Sequence, residues 1–148
     1  MGIGIIQSPF TQSTIFIGEN AVKLEHVAIN VPNAQSLVKF FVDNLGMRVV
    51  LSNDTSPFMH FIADEAGSMI EIYSNPAAPM PDYTAIHPLN FHLAFSANNI
   101  EADRERLVAA GAEAVGDINT TPAGDKLAFF RGPDAVPFQL VQRQKPLI

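Results

Sequence analysis

The sequence predicts an α+β fold in which one strand–helix–strand–hairpin unit occurs twice. Three observations carry that reading: alternating strands around His26 and His92, a helix stopped by glycine after each, and a gap-free match of residues 60–73 onto 128–141. His26 and His92 are 66 positions apart, the glycines Gly46 and Gly111 are 65 apart, and Glu71 and Gln139 are 68 apart. A near-constant offset through strand, helix, glycine and hairpin is the mark of an internal repeat. Identity between the halves is low, so it is the pattern that recurs.

In the first unit, residues 24–31 alternate, with Val27, Ile29 and Val31 on one face as in a half-buried strand. Pro32 ends the strand, and Asn33 is placed to cap a helix. The helix carries a stripe of Leu37, Phe40, Phe41 and Leu45, interrupted at Asn44, before Gly46 stops it. Strands follow at 47–51, 58–63 and 68–73, the last two joined by a hairpin turn at 64–67. The second unit opens with a strand at 89–96, with Phe91, Leu93 and Phe95 on one face, and a helix at 98–110 with Ile100, Leu107 and Val108 available for packing. Strands at 114–118, 126–131 and 137–141 complete it. The expected organisation is an N-terminal extension (1–21, with a short strand at 14–17) and one domain over 22–143. That domain divides into module 1 (22–75), a Pro-rich linker (76–88) and module 2 (89–143).

Length and composition fit a single globular domain: 148 residues, 47% hydrophobic and 16% charged. A formal charge of −6, with the nine basic residues scattered singly, argues against nucleic acid, whose binding depends on clustered Lys and Arg. The apolar N-terminus has no basic flank and is cut short by Gln7, Ser8 and Pro9, so neither a targeting segment nor a membrane span is expected. The chain has no cysteine, which excludes thiol chemistry and suits a cytoplasmic location.

Side chains alternate across a strand, so each polar residue's face follows from its neighbours. Ile70 and Ile72 flank Glu71, and Phe138 and Leu140 flank Gln139, while the apolar sets beside His26 and His92 leave both imidazoles on the other side. All four polar residues are thereby expected on the sheet face turned away from the helices. Two imidazoles and a carboxylate form a ligand set for a divalent metal, with Zn, Ni, Co, Mn and Fe(II) all compatible. Taken singly, each has an ordinary reading: a hydrogen-bonded histidine, or a Glu71 salt-bridged to Arg48. Their repeat-equivalent positions favour the joint one. Asn30, Arg48, His60, Met69 and Tyr73 are expected to line a substrate pocket beside them. No phosphate-binding glycine loop, G-x-S-x-G elbow or H-E-x-x-H motif occurs.

These residues resemble the vicinal oxygen chelate superfamily, which groups glyoxalases, bleomycin resistance proteins and extradiol dioxygenases. The resemblance spans about residues 22–143. It rests on Leu24-Glu25-His26-Val27-Ala28-Ile29, on Phe40-Phe41 leading to Leu45-Gly46-Met47, and on Met69-Ile70-Glu71-Ile72-Tyr73. Phe91-His92-Leu93-Ala94 and Phe129-Phe130-Arg131-Gly132-Pro133-Asp134 running into Phe138-Gln139-Leu140 extend it through the second half.

The resemblance implies two tandem βαβββ modules forming a curved mixed-sheet cleft around metal and substrate. It places metal ligands at His26, Glu71, His92 and Gln139, and implies a homodimer, since modules of this family often pair across subunits. The implied function is a metal-dependent enzyme, of lyase or isomerase type related to glyoxalase, that chelates two adjacent oxygens of a small molecule. Glu71 would then be base or ligand. An extradiol-type dioxygenase and a non-catalytic binding protein of the bleomycin-resistance kind are the alternatives. Gln139 departs from glyoxalase I, where the equivalent glutamate is both ligand and base; an amide cannot act as a base near neutral pH. Anionic glutathione conjugates call for basic residues at the pocket mouth, for which Arg48 and Arg131 are the candidates.

Overall fold

Each module begins with a strand that ends at a capped helix, and the caps are equivalent. Asn33 Oδ1 accepts the Ser36 N–H at 3.1 Å, and Asn99 Oδ1 accepts the Ala102 N–H at 3.1 Å. Each satisfies one of the orphan donors of a first helical turn. At the other helix ends Gly46 and Gly111 take φ of +68° and +105°, a conformation that favours glycine.

The computed structural model describes residues 21–148; the extension and the strand expected at 14–17 lie outside the described residues. Module 1 contains Val27–Asn30 (β1), Ala34–Asn44 (α1), Arg48–Ser52 (β2), His60–Ala63 (β3) and Met69–Tyr73 (β4). Module 2 contains Leu93–Ser96 (β5), Ile100–Ala109 (α2), Glu113–Thr120 (β6), Lys126–Arg131 (β7) and Pro137–Gln142 (β8). The strand orders are β1-β4-β3-β2 and β5-β8-β7-β6, so the α+β architecture of two βαβββ units is the one expected. In each sheet the first strand runs parallel to the last and the remaining pairs are antiparallel. The Val31 N–H donates to the Tyr73 carbonyl and the Ala97 N–H to the Val141 carbonyl, both at 2.9 Å, closing the two parallel ladders alike.

The core lies on the helix side of both sheets and is continuous between them. Ile29, Ile62 and Ile72 from module 1 and Phe130, Phe138 and Leu140 from module 2 are buried, with Leu37, Phe40 and Phe41 of α1 between them. The Phe40 and Phe41 rings lie 5.9 and 6.2 Å from that of Phe138, which stacks on Phe130 at 5.0 Å. Helix α1 thus belongs to module 1 in sequence and to both sheets in packing, and its burial makes the modules one hydrophobic unit.

The linker is fastened at both sides. The Tyr83 hydroxyl donates to the Asn30 carbonyl at 2.8 Å. Burial, reinforced by the nearby Tyr73 and Asp134, raises the Tyr83 pKa above its ordinary value. The Arg131 guanidinium donates to the carbonyls of Tyr83, Ile86 and Ala135 at 2.7, 2.9 and 3.0 Å. The Asn33 N–H donates to Asp134 Oδ2 at 2.7 Å, tying the start of α1 to module 2. No described helix is long and apolar enough to cross a membrane.

The strands expected at 24–31 and 58–63 begin only at Val27 and His60, and three further expectations differ. Residues 89–91 are not strand: the Asn90 N–H donates to the His87 carbonyl at 2.8 Å, closing a turn around Pro88 that leaves Leu89 exposed. Strand β6 is longer than expected because the pairing with β7 is interrupted between Val115 and Asn119, where Gly116 takes φ of +76°, and then resumes. Val108 of α2 is exposed, and Ile100 and Leu107 carry that helix's packing.

Candidate functional site

The sheet faces away from the helices carry the same arrangement twice. His26 immediately precedes β1 and His92 immediately precedes β5, so both imidazoles stand at a strand start rather than in mid-strand. Cross-strand pairs share a face. Ala28 pairs with Glu71 and Phe61 with Glu71 in module 1; Ala94 pairs with Gln139 and Phe129 with Gln139 in module 2. The His26 ring stands edge-on to Phe61 with centroids 5.1 Å apart, and the His92 ring edge-on to Phe129 at the same 5.1 Å. Both phenylalanines hold their imidazoles through perpendicular contacts, a favoured aromatic geometry. Their site role was not anticipated. Its signal was their parity with Glu71 and Gln139 across the two hairpins.

Each histidine is also tied at Nδ1. His26 Nδ1 lies 2.9 Å from Glu25 Oε1, and His92 Nδ1 lies 2.7 Å from the Pro88 carbonyl. Since a carbonyl only accepts, His92 donates from Nδ1, which leaves Nε2 with a free lone pair. This outer tether is the one that orients metal-ligating histidines. The turn that removed residues 89–91 from the strand supplies that carbonyl.

His26 Nε2 lies 3.2 Å from Glu71 Oε2, and the Glu71 side chain keeps only 19% of its surface exposed. The side chain in contact with Glu71 is therefore His26, not Arg48. Two donors about 2.1 Å from one ion sit about 3 Å apart, so this pair has the spacing of two ligands of one metal. Gln139 is buried on the equivalent face of module 2. The pairs do not merge into one cluster: among the described residues no three of His, Asp and Glu lie close enough to hold a metal ion. The donor types fit a divalent cation, and they lie apart: His26 with Glu71 in module 1, and His92 and Gln139 on the equivalent face of module 2.

The expected pocket residues divide. Met69 and Tyr73 share the face of Glu71. Arg48 pairs with Ala63, which pairs with Met69, so Arg48 is on that face too. Asn30 is also there, but its amide is committed: Nδ2 donates to the Asn75 carbonyl at 3.0 Å and Oδ1 accepts the Asn75 N–H at 2.7 Å. His60 is elsewhere. It pairs with Ile72, faces the helix side, is buried, and holds its Nδ1 2.7 Å from the Phe58 carbonyl. Arg131, with three carbonyls to bind, is a structural clamp rather than a pocket-mouth cation. A cavity of about 810 Å³ opens between residues 24–27 and 93–96; His26 and Met69 are in its wall, whereas Glu71, His92 and Gln139 are not.

Comparison with known proteins agrees with this fold. Residues 23–140 match the model of the Glyoxalase/Bleomycin resistance protein/Dioxygenase superfamily. No curated protein sequence matches the chain. Among solved structures, a glyoxalase family protein from Enterococcus faecalis is 27% identical with a TM-score of 0.63, over 80% of this chain and 96% of that one. An antibiotic binding protein from Streptomyces is 18% identical with a TM-score of 0.65, over 86% of this chain and 100% of that one. Glyoxalase I from Zea mays is 18% identical with a TM-score of 0.66, over 83% of this chain and 45% of that one. At these identities the last two share the fold alone. With nearly all of both modules matched, the chain belongs to the Glyoxalase/Bleomycin resistance protein/Dioxygenase superfamily.

Proposed function

We propose that the protein is a metal-dependent enzyme that binds a small molecule through two adjacent oxygens, of lyase or isomerase type related to glyoxalase. His26 and Glu71 form one half of its metal site, and His92 and Gln139 the other. The observation that supports this most is the repeated unit of an edge-on phenylalanine, a tethered Nδ1 and a carboxylate or amide on the same face. Either histidine would present Nε2 to the ion.

A set of three or four ligands needs both half-sites together. A homodimer in which module 1 of one copy faces module 2 of the other would assemble them. The open outer edges of β1 and β5, each paired on one side only, are compatible with such an arrangement. Zn, Ni, Co, Mn and Fe(II) all suit these donors. The domain is taken as residues 22–143 with 76–88 as linker, and the lack of cysteine suits the cytoplasm.

A bound metal supplies Lewis-acid polarisation of the substrate oxygens. The chain's own residues do the rest. Glu71 is the carboxylate on this face able to accept a proton, while Gln139 stays neutral and can only orient. Phe61 and Phe129 fix the imidazole planes, and Met69 and Tyr73 offer partly apolar surface to the substrate body. Turnover assays on a hemithioacetal, a catechol and an acyl-CoA epimer pair, with and without EDTA, test the reading. Metal-dependent conversion of one is expected, and conversion unaffected by EDTA would overturn it.

A second reading is a binding protein that sequesters a small molecule without chemistry. The observation favouring it is Gln139, a buried residue without basicity at the position symmetric to Glu71. Tight ligand binding insensitive to EDTA would select it.

A further inference from the structure

The two ends of the junction between the modules are unequally filled. Beside the end of β1 stands the linker: the Tyr83 hydroxyl donates to the Asn30 carbonyl at 2.8 Å, and Tyr83–Ala85 packs against Pro133–Ala135 in the turn between β7 and β8. Tyr83 is buried, with its ring 6.3 Å from that of Phe91. The repeat carries these partners to the other end of the junction. Asn30 corresponds to Ser96 at the end of β5, 66 positions on, and the β7–β8 turn corresponds to the β3–β4 turn at 64–67. Ser96, Asp64, Ala66 and Gly67 all lie in the wall of the cavity of about 810 Å³. The cavity is thus the repeat equivalent of the place that Tyr83 fills.

We propose that the occupant of this cavity is the chain's own N-terminal extension, entering with Ile15, Phe16 and Ile17. Tyr83 stands nine positions before His92, and the residue nine positions before His26 is Ile17. The extension joins the described chain at Ala21, three positions before Leu24 in the cavity wall. That wall is apolar at Val27, Leu45, Met47, Ile70, Leu93 and Phe95. Residues 1–18 contain no charged side chain, so the segment enters without a charge to desolvate. Val22 and Leu24, 97% and 86% exposed, offer it further apolar surface to cover on the way in. One difference from the linker sets how firmly it is held. Arg131 clamps the linker through the Tyr83 and Ile86 carbonyls, and its equivalent in the gap-free match of the two hairpins is Ala63. Apolar contact is left to hold the extension, which makes it displaceable by an apolar small molecule, and His26 shares the wall that it covers.

The chain has no cysteine, so a pair of introduced thiols tests this in the full-length protein. Ile17→Cys with Ser96→Cys should be joined within one chain by a short bis-maleimide. The control pair is Ile17→Cys with Asn119→Cys, since the register Ser96–Val141–Leu127–Asn119 puts that exposed residue in the same row on the outer strand β6. The first pair should cross-link with about ten-fold the yield of the control. Adding Phe16→Asp should remove that advantage while circular dichroism reports an unchanged fold. In the unsubstituted protein the amides of residues 15–17 should exchange hydrogen at least about ten-fold more slowly than those of an unstructured chain. Cross-links that join two chains, equal yields from the two pairs, an advantage that survives Phe16→Asp, or exchange at the unstructured rate would each overturn the proposal. Neither measurement involves a metal, so its failure and that of the metal reading are distinguishable.

Discussion

The imidazole Nε2 of His26 stands 3.2 Å from a carboxylate oxygen of Glu71, although 45 positions separate the two residues in sequence. The parallel pairing of β1 with β4 brings them together, and the perpendicular ring of Phe61 limits how far the imidazole can turn away. Module 2 repeats the frame with Phe129 and puts an amide where module 1 has the acid.

That substitution can be reversed. Gln139→Glu places a charge in a buried position, which without a cation costs more than the ~1–3 kcal/mol of an unpaired neutral polar group. Urea unfolding of the metal-free variant should show that loss, and added Zn or Ni should recover it while binding more tightly than in the parent. A variant whose stability ignores metal would mean that position 139 does not face the ion.

His60 separates the metal face from the helix side. Its ring is buried, with Nδ1 2.7 Å from the Phe58 carbonyl. His60→Ala should lower unfolding stability by about 1–3 kcal/mol, through the orphaned carbonyl and the lost packing, and leave metal uptake intact. Denaturation and metal analysis of the same sample check both halves.

Why some of this was legible in the sequence and some was not follows from the range of the interactions. Strand parity is local, so the faces of Glu71 and Gln139 could be read from Ile70, Ile72, Phe138 and Leu140. The same parity already separated His60 from Glu71, since His60 keeps step with Ile62; its chemistry drew it into the expected pocket against that signal. Residues 89–91 looked like strand because Leu89 and Phe91 alternate, but the His87–Asn90 turn takes precedence, and its product is the carbonyl that tethers His92. The role of Arg131 depends on carbonyls 45 and 48 positions away in the linker, which no local pattern reveals. Whether the module 1 pair and the module 2 pair come together depends on the arrangement of whole modules, and periodicity carries no information about that.

Asp125 gives a pH dependence independent of the site. The Gln144 N–H and then the Arg143 guanidinium hold its carboxyl below the ordinary value of 3.8. A depressed carboxyl contributes stability that is fully present above its unfolded pKa and is lost as pH falls through the folded one. Asp125→Asn should therefore be less stable than the parent at neutral pH, and the gap should close only below pH 3.8. Thermal melts across that range measure it; a gap that widens on acidification would contradict the assignment.

The account depends most directly on metal content per chain. Protein purified without chelator and offered Ni, Co, Mn, Zn or Fe(II) should hold about one ion per chain, as expected if His26 and Glu71 complete a site with His92 and Gln139. His26→Ala and His92→Ala should each abolish that uptake. Stoichiometry near zero with every metal, or uptake that survives in both variants, would contradict it.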